Sequence, residues 1–245
     1  MPDWTTLRDA YGGADDIPSA IHSWAEAPSD QKLHDLWGRL CHQGTVYSAS
    51  FAAIPLLLEA CARLAPVDRR SALMLIAAIW TSNDRFGGAE PNEQTQALLP
   101  QLSQMTDDSL REVDVDAMEF PYLLQAAAAF HEDRCWGRCF EQLAGQEFAG
   151  VCPACATDLF VAIGADGNFL SAEDYIRLPR AVRSPITKSQ ADSLPSDGAW
   201  LRKHAVECGR EETATSIDYM FGGARCPACN ADISVADAIR LGCCA

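Results

Sequence analysis

Apolar residues in the first half of the chain recur every three or four positions, which is the spacing of one face of an α-helix. This spacing predicts a helix over residues 46–64, with its apolar face at Tyr47, Phe51, Ile54, Leu58 and Cys61. Pro55 lies inside the pattern and removes one backbone hydrogen bond. We therefore expect a kink in this helix or an offset of its early turns.

Further helices are predicted on both sides of this one. Residues 29–43 begin with the cap residues Ser29 and Asp30 and then place apolar residues on one side, and residues 67–80 are apolar around most of the helix circumference. Helical patterns return at about 93–104, 107–118, 120–133 and 135–147. We therefore expect a mainly α fold in which antiparallel helices form either a bundle or stacked helical hairpins, because no clean repeat distinguishes the two.

The pattern changes at Phe148. Residues 157–171 contain the β-rich run LFVAIG, the turn ADGN and a short return, which predicts a β-hairpin. Residues 177–198 are typical of a loop, with three prolines and the basic residues Arg177, Arg180, Arg183 and Lys188. Asp197 is predicted to cap a helix to about residue 208, and another helix is predicted over 211–221. The predicted domains are therefore a helical one over 1–147 and a small α+β module over 148–245.

The chain contains the turn CPAC twice, at Cys152–Cys155 and at Cys226–Cys229. A CxxC turn presents two sulfurs at a spacing suitable for neighbouring ligands of a tetrahedral ion, so one turn fills half of a coordination shell. Two turns complete the shell with four thiolates. We therefore expect one Zn²⁺ ion per chain, with a structural role, because four protein ligands leave no position for a reacting water.

Other roles for the cysteines stay open. A redox dithiol of the thioredoxin type would also use a CxxC pair. A zinc deaminase would use one too, but it also needs an HxE element, and the candidate residues His131 and Glu132 have no residue between them. Cys41 and Cys61 are expected in the helical core. Cys135 and Cys139 lie four residues apart on a predicted helix and could share a metal, although a core or partly exposed position is favoured, as it is for Cys208. Cys243 and Cys244 either replace one ligand of a CPAC turn or are disordered thiols.

The segment LWGRLCHQGTVYSASFAAIPLLLEACARL, residues 36–64, resembles the helical hairpins of HEAT-like bacterial proteins, a group that includes immunity proteins encoded beside polymorphic toxins. The resemblance is good over about 30 residues and loose over about 140. It implies an α-solenoid whose concave face holds another protein. The hairpin after the first CPAC turn resembles a zinc-ribbon-like element, and this resemblance supports the four-cysteine site.

The net charge of −15 is concentrated in the first part of the chain, since residues 1–147 hold 10 Lys and Arg against 22 Asp and Glu. Such a surface repels phosphate backbones and favours basic partners, although it is also compatible with solubility alone. The run 107–119 is either a solvated face or a docking surface for a basic protein. Its carboxylates are Asp107, Asp108, Glu112, Asp114, Asp116 and Glu119.

His42, Gln43, Thr45 and Tyr47 lie between two predicted helices, where they could line a groove, although capping around Gly44 explains the same residues. The motifs of serine hydrolases, P-loop and dinucleotide-binding proteins and zinc proteases are absent from the sequence. No segment has the pattern of a secretory signal or of a membrane span, so we expect a cytoplasmic protein without a membrane partner.

These features predict a non-enzymatic protein that binds and blocks a basic partner, such as a nuclease toxin. The alternative is a zinc-ribbon regulatory or nucleic-acid-associated module, which the acidic charge disfavours. An enzyme with an unrecognised site is a third hypothesis.

Overall fold

The computed structural model describes residues 2–112, 115–131 and 135–243. The chain divides into two compact units. Unit 1 consists of Met1–Val115 and Gln125–Gly137, and unit 2 consists of Asp116–Leu124 and Arg138–Ala245. The predicted domains and the observed units therefore differ in the assignment of residues 116–124 and 138–147.

Unit 1 is built mainly of helices. They are α1 (Ile17–Glu26), α2 (Asp30–Leu40), α3 (Ser48–Arg63), α4 (Pro66–Thr81), α5 (Glu93–Gln96) and α6 (Leu99–Leu110). Two short hairpins precede α1 and α3, namely β1 (Arg8–Asp9) with β2 (Gly12–Gly13), and β3 (Cys41–His42) with β4 (Thr45–Val46). The core of unit 1 lies where α3 packs against α1 and α4.

The predicted helix over 29–43 is confirmed in α2. The Ser29 hydroxyl accepts a hydrogen bond from the Lys32 amide at 3.3 Å, which satisfies one of the free amides at the helix start. Leu33, Leu36 and Leu40 are buried. The helix ends earlier than predicted, because residues 41 and 42 pair with β4 instead.

The predicted helices over 46–64 and 67–80 are also confirmed. In α3 the residues Phe51, Ile54, Leu58 and Cys61 are buried as predicted, and Pro55 lies inside the helix. In α4 buried residues occur around most of the circumference, as predicted from its composition.

The predictions for 93–104 and 107–118 are wrong in their boundaries. One short helix, α5, covers 93–96, and α6 begins at Leu99 and ends at Leu110. Pro100 explains the new start, since proline is favoured in the first turn of a helix, where its missing amide has no partner to lose. The next helices are α7 (Glu119–Phe130) and the short α8 (Trp136–Cys139), and a 3₁₀ segment (Phe140–Gly145) follows.

Unit 2 contains a four-stranded antiparallel sheet in the order β5 (Glu147–Val151), β6 (Asp158–Gly164), β7 (Gly167–Ser171), β8 (Ser184–Pro185). The predicted hairpin over 157–171 is confirmed as β6 and β7, with Ala162 opposite Phe169. A second hairpin, β9 (Gly223–Arg225) with β10 (Asp232–Ser234), was not predicted.

Three helices complete unit 2, namely α9 (Ser196–Glu207), α10 (Glu211–Met220) and α11 (Val235–Cys243). The first two were predicted, but Asp197 is not the cap of α9, because the helix begins at Ser196 after Pro195. The Asp197 carboxylate forms an ion pair with Arg240 of α11. The protein is thus mainly α-helical with small antiparallel sheets. Within the described residues, no helix combines the length and the apolar character needed to cross a bilayer.

Candidate metal centre

The two CPAC turns form the tips of two hairpins, the first between β5 and β6 and the second between β9 and β10. The two tips have the same backbone. The Ala156 amide donates to the Cys152 carbonyl and the Asn230 amide donates to the Cys226 carbonyl, both at 2.9 Å. Ala156 and Asn230 both have left-handed φ angles, 57° and 66°, which are uncommon outside glycine. The sequence therefore builds one cysteine-presenting turn twice.

The two tips bring their four sulfurs into one cluster, in which all Sγ atoms lie within 4.8 Å of one another. The Sγ atoms of Cys152 and Cys229 are 3.9 Å apart, and those of Cys155 and Cys226 are also 3.9 Å apart. A tetrahedral ion with metal–sulfur bonds near 2.3 Å would place its sulfurs about 3.8 Å apart. A disulfide would need about 2.05 Å. The cluster therefore fits a single metal ion and not a pair of disulfides, and the hairpin context differs from a redox dithiol at a helix start.

Neighbouring groups already prepare the first tip for a negative charge. The Ala154 amide lies 3.4 Å from the Cys152 sulfur, in position to donate to it. The Thr157 hydroxyl lies 3.2 Å from the Cys155 sulfur and, together with its amide, lowers the pKa of that thiol to about 6. Burial raises the pKa of Cys152. One thiolate is therefore favoured at neutral pH before any ion is present.

The second tip shows why four thiolates need a cation. The Ala231 amide lowers the pKa of Cys229, but hydrogen bonds with the sulfurs of Cys155, Cys226 and Cys152, together with burial, outweigh it and raise that pKa to about 12. Each new thiolate opposes the next one through like-charge repulsion. A divalent cation removes this opposition, because coordinated thiols are deprotonated outright. The chemistry of the donor set thus agrees with its spacing.

Contacts within unit 2 explain how the second tip reaches the first across a long stretch of chain. Thr187 and Gly223 exchange two backbone hydrogen bonds, of 2.8 and 3.0 Å, just before the second tip. After that tip, α11 packs against β5, the strand that leads into the first tip. The second tip is therefore held in place by Thr187 before it and by the packing of α11 on β5 after it.

The other cysteines that the structure describes lie outside this cluster. Cys41 and Cys61 are buried in the core of unit 1, as predicted, and burial raises their pKa values to about 11 and about 12. Cys139 is buried and Cys135 is partly exposed. The Cys243 sulfur is 3.4 Å from the Ala149 carbonyl oxygen. Cys208 is partly exposed, and Cys244 lies outside the described residues.

The predicted groove residues His42, Gln43 and Tyr47 lie in and after the β3–β4 hairpin. Gln43 and Gly44 form its turn, both with positive φ. Gln43 is exposed, whereas His42 and Tyr47 are half-buried. The Tyr47 amide donates to the Ser50 hydroxyl at 2.8 Å at the start of α3, so a capping role is present at this position as well.

The predicted acidic docking residues do not share one helix. Asp107 and Asp108 lie on α6, and Glu112 follows its end. The Asp107 carboxylate is 3.7 Å from His131 Nε2 and only 17% exposed, whereas the Asp108 carboxylate is exposed and 3.6 Å from Arg111. Glu112 is exposed. These three residues belong to unit 1.

The later carboxylates of the run have other positions. Asp116 accepts hydrogen bonds from the Met118 and Glu119 amides, at 2.8 and 2.6 Å, so it caps α7. Glu119 is partly exposed in the first turn of α7. Both belong to unit 2, and Asp114 lies outside the described residues. The run is therefore divided between the two units, and the predicted helix over it is wrong.

Several exposed residues were not singled out from the sequence. Tyr11 and Phe86 are 72% and 62% exposed, each in a short turn with glycines beside it. Ile176 and Val182 are 75% and 61% exposed in the loop between β7 and β8. The sequence signals for exposure were the glycines that follow Tyr11 and Phe86 and the arginines that follow Ile176 and Val182.

No family model matches the chain, and neither a curated protein nor a solved structure matches it.

Proposed function

We propose that Cys152, Cys155, Cys226 and Cys229 hold one zinc ion and that this ion has a structural role. The observation that carries this proposal is the 3.9 Å spacing between sulfurs of different tips, close to the value for a tetrahedral ion. Four thiolates suit zinc, and they leave no coordination position for water or substrate. The ion would supply a fixed crosslink, and the chain's own residues supply the pre-shaped tips.

The crosslink joins parts of unit 2 that are far apart in the sequence. Cys155 and Cys226 are separated by 71 residues. Closing a loop of that length in the unfolded chain costs about 4 kcal/mol in a chain-entropy model of crosslinks. The ion would therefore contribute a large part of the stability of unit 2, because binding free energy becomes folding free energy where the apo site is disordered.

We propose further that the protein as a whole is a non-enzymatic binding protein that blocks a basic protein partner, of the immunity or antitoxin type. The observation that carries this proposal is the net charge of −15 together with exposed carboxylates such as Asp108 and Glu112 on unit 1. In this proposal helices α1 to α6 form HEAT-like antiparallel hairpins. A nuclease toxin is the most concrete partner of this chemistry.

The mechanism would have two stages. The acidic surface first raises the rate of encounter with a basic partner by electrostatic steering. Burial of roughly 800 Å² on each side then holds the complex. Because the first stage depends on charges in solvent, its contribution falls as salt screens them over about 10 Å at about 0.1 M.

The test is affinity capture with the full chain in lysate of its own cells, followed by purification of the captured protein. We expect one stoichiometric basic protein, whose calorimetric affinity falls about tenfold or more between low and high salt. The double variant Asp108→Asn, Glu112→Gln should slow association, whereas Glu173→Gln on unit 2 should not. Capture of no basic protein, or an affinity independent of salt, would contradict the proposal.

A second candidate function is a nucleic-acid-associated module, and the basic loop after β7 favours it. Among the described residues, Arg180, Arg183 and Lys188 form no ion pair, and the Arg183 guanidinium stacks 4.6 Å from the Phe169 ring. Such uncompensated cations suit phosphates. Fluorescence anisotropy with single-stranded RNA and duplex DNA at about 150 mM salt would test this. Binding that Arg180→Ala with Lys188→Ala removes, and Lys203→Ala does not, would support it.

A further inference from the structure

Three turns of unit 1 that are distant in the sequence place aromatic side chains on one surface. The β1–β2 hairpin carries Tyr11, the β3–β4 hairpin carries His42 with Tyr47 just after it, and the turn Phe86–Gly88 carries Phe86. We call Tyr11, His42, Tyr47 and Phe86 the aromatic surface. None of these residues belongs to the four-cysteine cluster.

The rings of the aromatic surface contact each other in pairs. The ring centroids of Tyr11 and His42 are 5.6 Å apart, edge to face, and the Tyr11 hydroxyl is 3.5 Å from His42 Nδ1. The centroids of Tyr47 and Phe86 are 5.8 Å apart at a tilt of 43°. These spacings are favourable for aromatic pairs. Tyr11 and Phe86 are nevertheless 72% and 62% exposed, so most of their ring surface faces solvent.

The two pairs are neighbours. The Tyr11–His42 pair lies at the β3–β4 hairpin, in which His42 pairs with Thr45, and the Thr45 hydroxyl donates a hydrogen bond to the Asp84 carboxylate. Asp84 lies two residues before Phe86, whose ring contacts Tyr47. The β3–β4 hairpin therefore brings both ring pairs and Asp84 to one surface.

Hydrogen bonds hold the three turns in place. The Ala10 amide donates to the Arg39 carbonyl at 3.0 Å, which fixes the β1–β2 hairpin against the end of α2. The Val46 amide donates to the Asp84 carbonyl at 2.9 Å, and the Ser82 hydroxyl donates to the Gly44 carbonyl at 2.6 Å. The turn that carries Phe86 is thereby tied to the β3–β4 hairpin. The surface is thus preorganised, which lowers the entropy cost of binding.

Asp84 places an unpaired negative charge beside the rings, and two of the arginines nearby are neutralised, although Arg8 of the β1–β2 hairpin is exposed without an ion pair among the described residues. Arg39 is neutralised by Asp9 and Asp16, and Arg85 forms an ion pair with Glu90. Asp84 is exposed, accepts a hydrogen bond from the Thr45 hydroxyl and, among the described residues, forms no ion pair. Ring faces carry negative electrostatic potential, so rings beside a free carboxylate attract a cation. The planar guanidinium of arginine suits both the rings and the carboxylate, since it stacks on ring faces and pairs with carboxylates.

We propose that the aromatic surface binds arginine side chains of a basic protein partner, with guanidinium groups stacked on Tyr11 and Phe86 and paired with Asp84. This inference rests on the proposed function and specifies where and by what chemistry unit 1 would hold its partner. The charge complementarity of an acidic chain and a cationic segment selects this occupant. An aliphatic or acidic segment would leave Asp84 unpaired or repelled.

The test uses the full chain and the peptide nona-arginine as the probe, titrated by NMR at about 150 mM salt. We expect shifts at the amides of the aromatic surface. The double variant Tyr11→Ala, Phe86→Ala should weaken binding about tenfold, because it removes the two stacked cation–π contacts with the guanidinium groups. The matched control Tyr122→Ala, an exposed tyrosine of unit 2, should leave the affinity within about twofold.

A second pair of variants covers the case in which the double variant folds poorly. Asp84→Asn should weaken nona-arginine binding by several-fold, whereas Glu59→Gln, an exposed carboxylate on α3, should not. Nona-lysine should bind the wild-type chain more weakly than nona-arginine does. If both members of either pair weaken binding equally, or if nona-lysine binds as well, general charge attraction explains the result and the inference is wrong.

The inference and the proposed function can fail separately. A captured basic partner that binds the Tyr11→Ala, Phe86→Ala variant as tightly as the wild type would overturn the inference while the proposed function stands. If no basic protein is captured but nona-arginine binding depends on the aromatic surface, the proposed function fails and arginine recognition stands.

Discussion

Gly242 of α11 lies directly against the backbone of Ala149 in β5. A Cβ atom added to residue 242 would come within 2.7 Å of the Ala149 carbonyl oxygen and of the Gly150 Cα atom. Real Cβ atoms do not approach backbone atoms so closely, so this helix and strand can pack at their observed distance only because residue 242 has no side chain. The strand leads into the first CPAC tip, so the same contact supports the four-cysteine cluster.

We therefore expect Gly242→Ala to destabilise unit 2 by about 1–3 kcal/mol, the usual cost of forcing extra volume into packed structure. Gly145→Ala is the matched control, because a Cβ atom at residue 145 meets nothing within 4 Å. Urea unfolding followed by circular dichroism measures both. Equal stability of the two variants would mean that α11 can move away from β5 without cost.

Metal content tests the four-cysteine cluster. We expect one zinc per purified chain by mass spectrometry of metals, and we expect Cys226→Ser to lose it, since three thiolates bind less tightly and leave an open position. The variant should unfold unit 2 at a lower denaturant concentration while the helices of unit 1 stay largely formed. Cys208→Ser, a partly exposed thiol outside the cluster, should keep the metal. Full metal retention in Cys226→Ser would exclude the proposed ligand set.

Acid sensitivity of unit 1 should depend on Asp16. Hydrogen bonds from Arg39 lower the pKa of Asp16 below its usual 3.8. Because the folded-state pKa is the lower one, the ion pair stabilises the protein fully above about pH 4 and is lost as the pH falls through the folded-state value. Asp16→Asn should therefore reduce the melting temperature at pH 6, and its difference from the wild type should shrink as the pH falls through the folded-state pKa, as calorimetry across pH would show. Asp15→Asn is the control variant, because Asp15 is an exposed neighbour that forms no ion pair among the described residues.

Pro55 should reduce the stability of α3. It is exposed in the middle of a 16-residue helix, where proline removes a backbone hydrogen bond and crowds the preceding turn, at a cost of about 3 kcal/mol in ordinary helices. We expect Pro55→Ala to raise the free energy of unfolding by about 1–3 kcal/mol. A drop in thermal stability would instead show that the proline-imposed backbone is needed for the packing of α3.

Helical periodicity predicted α2, α3 and α4 well because their apolar residues repeat over three or four turns. The helix α1 was missed although Ile17, Ile21 and Trp24 are buried at helical spacing. Its ten residues offer only three apolar anchors, and the proline at its start is equally typical of a loop. The end of α6 was misplaced because the acidic residues after Leu110 are common in helices, although few apolar residues among them could be buried.

The candidate metal site was predictable because ligand spacing within each CPAC turn is local. The pairing of the two turns in space was inferred from coordination number and agrees with the sulfur distances. The hairpin β9–β10 could not be predicted, since its strands have three residues each and depend on pairing with residues distant in sequence, such as Thr187 with Gly223. Two of the four residues of the aromatic surface, His42 and Tyr47, were predicted as groove residues. Tyr11 and Phe86 could not be predicted, because hydrogen bonds between turns that are distant in the sequence bring them to the same surface.

Each CPAC tip contributes one buried sulfur, from Cys152 or Cys226, and one exposed sulfur, from Cys155 or Cys229. The cluster consequently has a buried side, at Cys152 and Cys226, and a solvent-exposed side, at Cys155 and Cys229. If the cluster holds an ion, chelators, competing thiophilic metals and alkylating reagents would reach it first from the side of Cys155 and Cys229. Loss of the ion would therefore begin at its bonds to the exposed cysteines, and its bonds to Cys152 and Cys226 would break last.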